Sequence, residues 1–408
     1  MQISVNRIHN DIVMIAGFSE TPGEGATRPT FSTAWRQARD YVIGQAELHG
    51  CHTRIDGAGN VHIRQRRLSF DARAWLCGSH VDSVPHGGDY DGVAGVVLPL
   101  EILRAAFECE RPVPMELVIF AEEEGPTFGL GMLGSRAWVG ELSADELSKL
   151  FNQQGESYLQ AGHPHGVRPD RVEDDVLQPT GVIGLIEAHI EQGPGMWRRD
   201  QRLAVVRAIA GRRQYRCTVV GEANHAGATA MSDRRDALVG TSEMVVGLES
   251  LAKHTGRGAV MTVGRLVSLP NAVNVVPDRV EFTIDFRAGD NDTLDATHPL
   301  IDAMIRSVAR RRSLGAELVQ TEHAPAREMD AALVKRVSEA AAREGVPDVP
   351  VTVSGALHDS AILSPHVPTV MLFVPSRDGI SHNPAEFSRV EDIALAARVV
   401  ARVVGGTA

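Results

Sequence analysis

The sequence predicts an α/β protein in which helices sandwich a mixed, mainly parallel sheet and a second domain is inserted into the first. Three observations support this prediction. Strand and helix patterns alternate through the first half of the chain, a different pattern occupies residues 211–325, and the alternation then resumes. We therefore expect a main domain built from residues 1–210 and 326–408, with an inserted domain at 211–325.

The elements of the main domain are identified by apolar runs and by signals for helix starts and ends. Gly50 ends the first helical pattern, and Ser143 with Glu146 forms a capping box that opens another helix. The predicted helices are at 30–50, 93–108, 331–344 and 389–404, with one opening at 143–146, and the predicted strands are at 74–77, 115–121, 182–191 and 368–375. Strands that alternate with helices predict mainly parallel pairing.

The inserted segment has a different order of elements. Its predicted strands are at 213–221, 259–268, 279–288 and 316–322, and its predicted helices are at 236–254 and 294–312. The order β-α-β-β-α-β is that of a ferredoxin-like unit. We therefore expect this segment to form a separate domain.

Composition excludes several classes of partner. The 408 residues are 43% hydrophobic and 23% charged, with a net charge of −11, which is typical of a globular protein and argues against nucleic acid or an anionic membrane as the main partner. No signal peptide and no membrane span are predicted. The four cysteines lie far apart without a C-x-x-C motif, which argues against a disulfide framework and predicts a cytoplasmic location.

A histidine and several carboxylates lie in one loop between a predicted strand and a predicted helix. The loop Gly-Ser-His-Val-Asp-Ser-Val-Pro-His-Gly-Gly-Asp-Tyr-Asp-Gly contains His80, Asp82 and Asp91. Loops at the ends of buried strands are where α/β proteins place their chemistry. His and Asp side by side indicate a divalent metal more than a covalent nucleophile. His86 and Asp89, in the same loop, are interpreted as loop residues.

Three further clusters follow other predicted strands. The glutamates Glu122, Glu123 and Glu124 follow one strand, and His189 and His382 lie at or after the ends of two others. Considered separately, adjacent glutamates are typical of a solvated patch, and a lone histidine is more often structural. Four such clusters at four strand ends are less easily explained by chance, because those ends meet at one edge of the sheet.

These residues match the needs of a site for two metal ions. Two ions about 3.5–4 Å apart need one bridging carboxylate and a few terminal ligands each. The predicted ligands are Asp91 as the bridge, His80 and His189 on one ion, and Glu124 and His382 on the other. Asp82 is predicted to orient the His80 imidazole, the alternative being a turn-forming aspartate. A glutamate beside a ligand could accept a proton from an activated water.

The inserted domain offers polar candidates for substrate binding. His225 lies in a loop of small residues, Asn274 precedes a short apolar run, and Arg287 ends a predicted strand. Arginine at a strand end is usually a surface residue, but facing a cleft it would suit bidentate binding of a substrate carboxylate. No G-x-S-x-G, Walker A or G-x-G-x-x-G motif occurs, and the Ser-Gly-Ala-Leu-His-Asp run at 354–359 is too short to assemble a catalytic triad.

Taken together and in order, these motifs resemble the hydantoinase/carbamoylase family of amidases, a branch of the dinuclear-metal aminoacylase and carboxypeptidase superfamily. The resemblance covers nearly the whole chain. It is carried by the segments His80-Val81-Asp82, Gly88-Asp89-Tyr90-Asp91-Gly92, Glu123-Glu124-Gly125, His189-Ile190-Glu191-Gln192-Gly193-Pro194 and Ile380-Ser381-His382-Asn383-Pro384. It implies a zinc-aminopeptidase-like catalytic domain and an inserted domain that acts as a lid and as the interface of a homodimer.

The resemblance also implies roles for individual residues. Two divalent ions per subunit (Zn, Mn, Co or Ni) would be held by His80, Asp91, Glu124, His189 and His382. The implied catalytic residues are the general base Glu123, His225 and Asp82, and the implied substrate-binding residues are Gln192, His225, Asn274, Arg287 and Gly355. His225 would help to polarise the scissile carbonyl, in its own subunit or in the partner.

The implied activity is hydrolysis of a linear amide or ureido C–N bond in a small carboxylate substrate. The first candidate is the conversion of an N-carbamoyl-L-amino acid and water to the L-amino acid, carbon dioxide and ammonia. Allantoate amidohydrolase is the main alternative; β-ureidopropionase, aminoacylase or dipeptidase, and an inactive binding homologue are further ones. Departures from the family pattern at Pro126, Thr127, Ala228, Ala230 and Leu357 bear on the choice of substrate.

Overall fold

A computed structural model describes residues 1–256 and 258–406, and the chain divides into two units. The first unit comprises Met1–Arg207, Met329–Thr352 and Ala356–Ala408, and the second comprises Ala208–Glu328 with Val353–Gly355. These divisions lie within three residues of the predicted boundaries at 210 and 325. The segment Val353–Gly355 was not predicted to join the second unit, and residues 407 and 408 of the predicted last segment lie outside the described residues.

Helices are numbered in chain order over the described residues. They are α1 (Val5–Ala16), α2 (Thr33–Leu48), α3 (Val93–Glu108), α4 (Leu133–Trp138), α5 (Ala144–Leu147), α6 (Tyr158–Gly162), α7 (Gly195–Arg198), α8 (Ala237–Thr255), α9 (Asn291–Arg311), α10 (Ala331–Arg343), α11 (Asp359–Leu363) and α12 (Val390–Val404). The predicted capping box that opens α5 is present. None of the helices in the described part of the chain combines the length and apolar character needed to cross a membrane.

Strands are numbered in the same way. They are β1 (Cys51–Ile55), β2 (Val61–Gln65), β3 (Ala74–His80), β4 (Met115–Phe120), β5 (Val182–Ile190), β6 (Ala204–Ile209), β7 (Gly211–Val220), β8 (Asn224–His225), β9 (Val260–Thr262), β10 (Leu266–Leu269), β11 (Val275–Val276), β12 (Arg279–Ala288), β13 (Gly315–Ala324), β14 (Arg327–Glu328), β15 (Val351–Ser354) and β16 (Thr369–Val374). The chain passes from the first unit to the second within β6.

The main sheet has the strand order β1-β2-β4-β3-β5-β16-β6-β14, with β15 paired to β6. Its four central strands, β4, β3, β5 and β16, pair in parallel, and the flanking pairs formed by β1, β2, β6 and β14 are antiparallel. The predicted mixed sheet with a mainly parallel centre is confirmed. Helices cover both faces: in β3, Trp75 and Cys77 join one hydrophobic cluster and Leu76 joins another, so every residue of this strand is buried.

Parallel pairing brings the carboxyl ends of the central strands to one edge. His80 at the end of β3 is opposite Phe120 at the end of β4, and His189 in β5 is opposite Phe373 in β16. Close contact between β3 and β4 requires a glycine at position 78, because a Cβ there would lie 1.8 Å from the Val118 carbonyl oxygen. The sheet therefore places the predicted histidine and carboxylate clusters along a single edge.

The second unit contains a five-stranded antiparallel sheet with the order β10-β12-β7-β13, in which β9 also pairs with β12. Alternate residues of β7 and β12 are buried in a hydrophobic cluster that also includes Leu248 of α8 and Ile301 of α9. The predicted single strand at 259–268 was wrong. It is two short strands, because the chain leaves the ladder around Gly264, and glycine within a strand weakens pairing and often marks a bulge.

His62 of β2, Glu116 of β4 and Asp56 form a buried polar cluster in the main sheet. His62 lies 2.7 Å from Glu116 and 3.2 Å from Asp56, and although burial favours the neutral ring, these two carboxylates raise the pKa of His62 to about 9. A folded pKa above the ordinary value of about 6.5 stabilises the fold below pH 6.5, and this contribution is lost as the pH rises through 9.

We therefore expect the H62Q variant to lower the free energy of unfolding more at pH 6 than at pH 9.5. Urea unfolding of the wild type and the variant at both pH values measures this difference. A difference between the two proteins that stays constant with pH would contradict the prediction.

Candidate metal centre

The five predicted metal ligands come together in the first unit. His80 ends β3, Asp91 precedes α3, Glu124 follows β4, His189 lies near the end of β5, and His382 follows β16. They form two groups with ligand atoms within 4.8 Å of one another: His80, Asp91 and His189 in one, and Asp91, Glu124 and His382 in the other. Asp91 is the member common to both groups, which is the place a bridging carboxylate would take, and its role as the bridge stays a prediction.

The two carboxylate oxygens of Asp91 face different partners. Its Oδ1 atom lies 3.1 Å from His189 Nε2 and 3.7 Å from His80 Nε2. Its Oδ2 atom lies 3.2 Å from His382 Nε2, which is itself 3.5 Å from Glu124 Oε2. Each oxygen of this carboxylate therefore faces a different set of possible metal ligands.

The orientation of two imidazoles fits metal binding. His80 Nδ1 lies 3.0 Å from the Asp82 carbonyl oxygen, and His189 Nδ1 lies 3.0 Å from the Ile190 carbonyl oxygen. A carbonyl oxygen can only accept a hydrogen bond, so each Nδ1 carries a proton, and each Nε2 is the ring atom that remains to bind a metal. This is the usual way in which a protein orients a histidine ligand of a metal.

Asp82 contacts His80 in a way that differs from the prediction. We expected its carboxylate to orient the imidazole, but Oδ1 lies 3.8 Å from His80 Nδ1, and the backbone carbonyl makes the 3.0 Å contact instead. Every residue has a carbonyl, so this contact does not require an aspartate. The Asp82 carboxylate instead accepts the backbone N–H of Glu124 at 3.1 Å and so helps to position that ligand.

The charge balance of the site also fits bound cations. Burial, together with the negative charge of Asp91, raises the pKa of Glu124 to about 8. Burial, together with the negative charges of Asp359 and Glu124, raises the pKa of Glu123 well above its usual range. Burial also raises the pKa of Asp82 to about 7. The buried Oε1 atom of Glu124 has no hydrogen-bond partner within residues 1–256 and 258–406. Divalent cations would supply the positive charge that these crowded carboxylates lack.

Asp91 is ionised despite its burial. Burial alone would raise its pKa, but hydrogen bonds from His189 and His382 outweigh burial and hold the pKa well below its usual range. Asp91 in turn raises the pKa of His189 to about 9, although burial opposes this, whereas burial lowers the pKa of His80 to about 4. The hydrogen bonds from His189 and His382 are therefore what keep the Asp91 carboxylate ionised.

The three consecutive glutamates have different environments. Glu123 Oε2 lies 3.6 Å from His80 Nε2, and only 10% of the Glu123 side chain is exposed. Glu122 turns the other way, and its Oε1 accepts the backbone N–H groups of Thr127 and Phe128. The positive φ of 54° at Glu122 makes this separation possible, and such strained backbone often occurs at functional sites.

Two residues without a predicted role, Ser381 and Glu386, and the predicted substrate-binding residue Gln192 hold Asp91 in place. Glu386 Oε1 accepts the backbone N–H groups of Tyr90 and Asp91, and Ser381 Oγ lies 3.1 Å from Asp91 Oδ2 and 2.9 Å from Glu386 Oε2. Gln192 Nε2 donates to Asp91 Oδ2 at 2.8 Å. Proximity of Ser381 and Glu386 to His382 in the sequence was the only signal that could have identified them.

A cavity of about 280 Å³ opens onto the cluster. It is lined by Asp91, Glu123, Glu124, His189, Gln192 and His382, together with Gly131, Met132, Ala356, Leu357 and His358. Leu357, one of the departures from the family pattern, thus lies in the cavity wall and, like Met132, contributes apolar surface to it. His358 is buried with its ring centroid 4.4 Å from that of His189, so the two imidazoles pack against each other.

The other predicted substrate-binding residues lie in the second unit. His225 in β8 is opposite Val275 in β11, and the Asn274 carbonyl accepts the backbone N–H of Ala226. Arg287 Nη1 donates to the Gly355 carbonyl at 3.0 Å. The structure thus brings His225 close to Asn274, and Arg287 close to Gly355, while Gln192 lies in the first unit beside Asp91. Their joint role in substrate binding stays a prediction.

Comparisons with known proteins agree with this geometry. Residues 76–405 match the family model for Peptidase family M20/M25/M40. The chain is 35% identical to an N-carbamoyl-L-amino acid amidohydrolase of Geobacillus stearothermophilus, over 98% of each protein, and 33% identical to an allantoate amidohydrolase of Escherichia coli, over 97% of this chain and 96% of that protein. A crystal structure of an amidase of the hydantoinase/carbamoylase family from Burkholderia multivorans superposes with a TM-score of 0.90 at 32% identity, covering 99% of this chain and 97% of that one.

Proposed function

Since this chain belongs to the peptidase family M20/M25/M40, we propose that it hydrolyses an N-carbamoyl-L-amino acid to the amino acid, carbon dioxide and ammonia. It is an amidohydrolase of ureido C–N bonds, and the choice of substrate within that class is the proposal. The observation that carries it is the pair of donor groups that share Asp91, with Glu123 beside them. The apolar cavity wall at Met132 and Leu357 favours a substrate with an apolar side chain over allantoate, which carries two polar ureido groups.

We propose that the site holds two divalent ions per subunit, drawn from Zn, Mn, Co and Ni, whose preferred ligands include imidazole and carboxylate. His80, Asp91 and His189 would hold one ion, and Asp91, Glu124 and His382 the other. Such ions would activate a water molecule and polarise the substrate carbonyl. The remaining steps depend on side chains of the chain itself.

Glu123 is proposed as the general base. Its Oε2 atom would accept a proton from the attacking water and later pass that proton to the leaving nitrogen, so the same carboxylate serves both halves of the reaction. The raised pKa of Glu123 follows from burial and neighbouring carboxylates, and bound cations would lower it toward the range in which a base is ionised at neutral pH. His225 is proposed to stabilise the negative charge that develops on the carbonyl oxygen.

Arg287, Asn274, Gln192 and Gly355 are proposed to bind the substrate carboxylate and its neighbouring atoms. The R287L variant is expected to raise KM for carboxylate substrates roughly 10- to 100-fold, because a hydrogen bond to a charged group contributes about 1.5–3 kcal/mol. Steady-state kinetics on an N-carbamoyl amino acid measure this change.

The matched control for this variant is R279L. Arg279 lies on the same strand and pairs with Glu281 two residues away, as Arg287 pairs with Asp285. An unchanged KM in R287L, or an equal rise in both variants, would remove Arg287 from the proposed binding set.

Ammonia release from a panel of substrates tests the proposed function. The panel contains N-carbamoyl-L-methionine, N-carbamoyl-L-leucine, N-carbamoyl-L-aspartate, N-carbamoyl-β-alanine and allantoate, assayed with added Mn²⁺, Co²⁺, Ni²⁺ or Zn²⁺. N-acetyl-L-methionine is included as well, with turnover followed by release of methionine because its hydrolysis gives acetate and no ammonia. We expect the highest kcat/KM with the apolar N-carbamoyl-L-amino acids. A preference for allantoate would overturn the substrate assignment, and a lack of turnover of every compound would overturn the proposed function.

We also propose a homodimer that forms through the second unit, and a cytoplasmic location. Val239 and Val246 of α8 and Leu300 of α9 are apolar side chains that are 45%, 66% and 51% exposed in one subunit, as expected for residues covered by a partner. All four cysteines are free, in keeping with a reducing compartment. Light scattering on the purified protein measures the oligomeric state, and a monomer at assay concentration would contradict the proposed homodimer.

A further inference from the structure

The imidazole of His225 is held by its own loop. Its Nδ1 atom accepts the backbone N–H of Gly227 at 3.0 Å and that of Ala228 at 3.1 Å. A backbone amide can only donate, so Nδ1 carries no proton, and the neutral ring has its proton on Nε2. Among the described residues no hydrogen bond uses Nε2, so this N–H group is available to a bound molecule.

We infer that Arg234 is a positioning residue that fixes this loop and so holds His225 as an Nε2–H donor. The Arg234 guanidinium spans the loop, which we define as residues 225–229. Its Nη2 atom donates to the carbonyl oxygens of Ala226 at 2.5 Å and Thr229 at 3.1 Å, and its Nε atom donates to Thr229 at 3.2 Å. A planar guanidinium can bind two carbonyl groups in a set geometry, whereas an ammonium group lacks that fixed fork.

Other contacts hold the loop from within and from its opposite side. The His225 carbonyl accepts the Thr229 hydroxyl at 2.9 Å, and the backbone of His225 pairs with Val275. Gly227 permits the ring to lie against the loop, because a Cβ at this position would be 3.3 Å from His225 Cε1. Packing cannot fix the ring, since His225 is exposed. Its orientation therefore depends on hydrogen bonds, and Arg234 supplies three of those that shape the loop.

This inference rests on the proposed function and separates the tasks of two residues within it. A histidine whose Nδ1 accepts two amide protons cannot offer that atom as a base, and its Nε2–H can donate to a carbonyl oxygen that gains negative charge. Glu123 then remains the group that accepts the proton of water. Removal of one such donor typically lowers kcat by about 10²- to 10³-fold, so loss of its fixed orientation is expected to have a smaller effect in the same direction.

The test combines nuclear magnetic resonance with kinetics on the full chain. Long-range ¹H–¹⁵N correlation spectra of His225, assigned with the H225Q variant, report which ring nitrogen carries the proton. We expect the Nε2–H tautomer in the wild type and a mixture of tautomers in R234M. We also expect R234M to lower kcat about 10-fold or more, with KM changed less than about threefold, because the donor acts mainly on charge that develops in the transition state.

Two further variants complete the test. Arg235 is adjacent and donates to the Ser313 carbonyl instead of the loop, so R235M should keep the wild-type spectrum and kcat. R234K retains the charge without the guanidinium fork and should fall between the wild type and R234M, which also keeps the test valid if R234M does not fold. An Nδ1–H tautomer in the wild type, or wild-type spectra and kcat in both Arg234 variants, would overturn the inference. The spectra do not depend on turnover, so an inactive wild type would overturn the proposed function alone.

Discussion

The E123Q variant is expected to lower kcat by roughly 10²- to 10⁴-fold, the contribution typical of a positioned acid or base, with a much smaller change in KM. Glutamine keeps the size of the side chain and one acceptor oxygen, but its amide cannot accept a proton. Glu123 is not among the residues that form the two donor groups, so the variant should keep its metal. Single-substrate kinetics together with metal analysis by mass spectrometry measure both quantities.

Glu122 provides a matched control for this prediction. It lies next to Glu123 but turns away from the cluster, and its Oε1 accepts two backbone N–H groups that a glutamine oxygen can also accept. E122Q should therefore keep kcat within about threefold of the wild type, because each hydrogen bond concerned contributes only about 0.5–1.5 kcal/mol and can still form. Full activity in E123Q, or equal losses in the two variants, would show that the base is another group.

The second large effect is expected at Asp91. The D91N variant should lose most of the bound metal and lower kcat by about 10²-fold or more, because the two donor groups share the Asp91 carboxylate, with one of its oxygens facing each group. Metal should also stabilise the wild-type fold, by about 2.7 kcal/mol at a free concentration 100 times Kd. Chelation should lower the wild-type Tm, and added metal should restore it, whereas the Tm of D91N should respond far less.

Asp89 gives the control within the same loop. It is two residues from Asp91 and was interpreted as a loop residue, and it is absent from both donor groups. D89N should retain wild-type metal content, kcat and response of Tm to chelation. Equal metal content in D91N and the wild type would contradict the assignment of Asp91 as the shared ligand.

Several parts of the fold could be predicted because their signals are local. Helix α3 and strand β12 begin and end where apolar periodicity and turn residues indicate. The short strands β8, β11 and β14 were not predicted, because a two-residue strand contains no period to detect and exists only through its partner. The division of 259–268 into β9 and β10 likewise depends on long-range pairing, since the two short strands pair with different residues of β12.

The sequence by itself determined which residues form the candidate site. Consecutive parallel strands end at the same edge, so His80, Glu124 and His189 could be expected to meet there from local patterns alone. The tertiary structure decided how these residues are held. Asp91 lies beside Ser381, 290 positions along the chain, and a backbone carbonyl rather than the Asp82 carboxylate orients His80. Such contacts depend on distances of a few ångströms between remote segments, and no local spacing encodes those distances. The tautomer of His225 is of the same kind, since it follows from where two amide groups of a folded loop point.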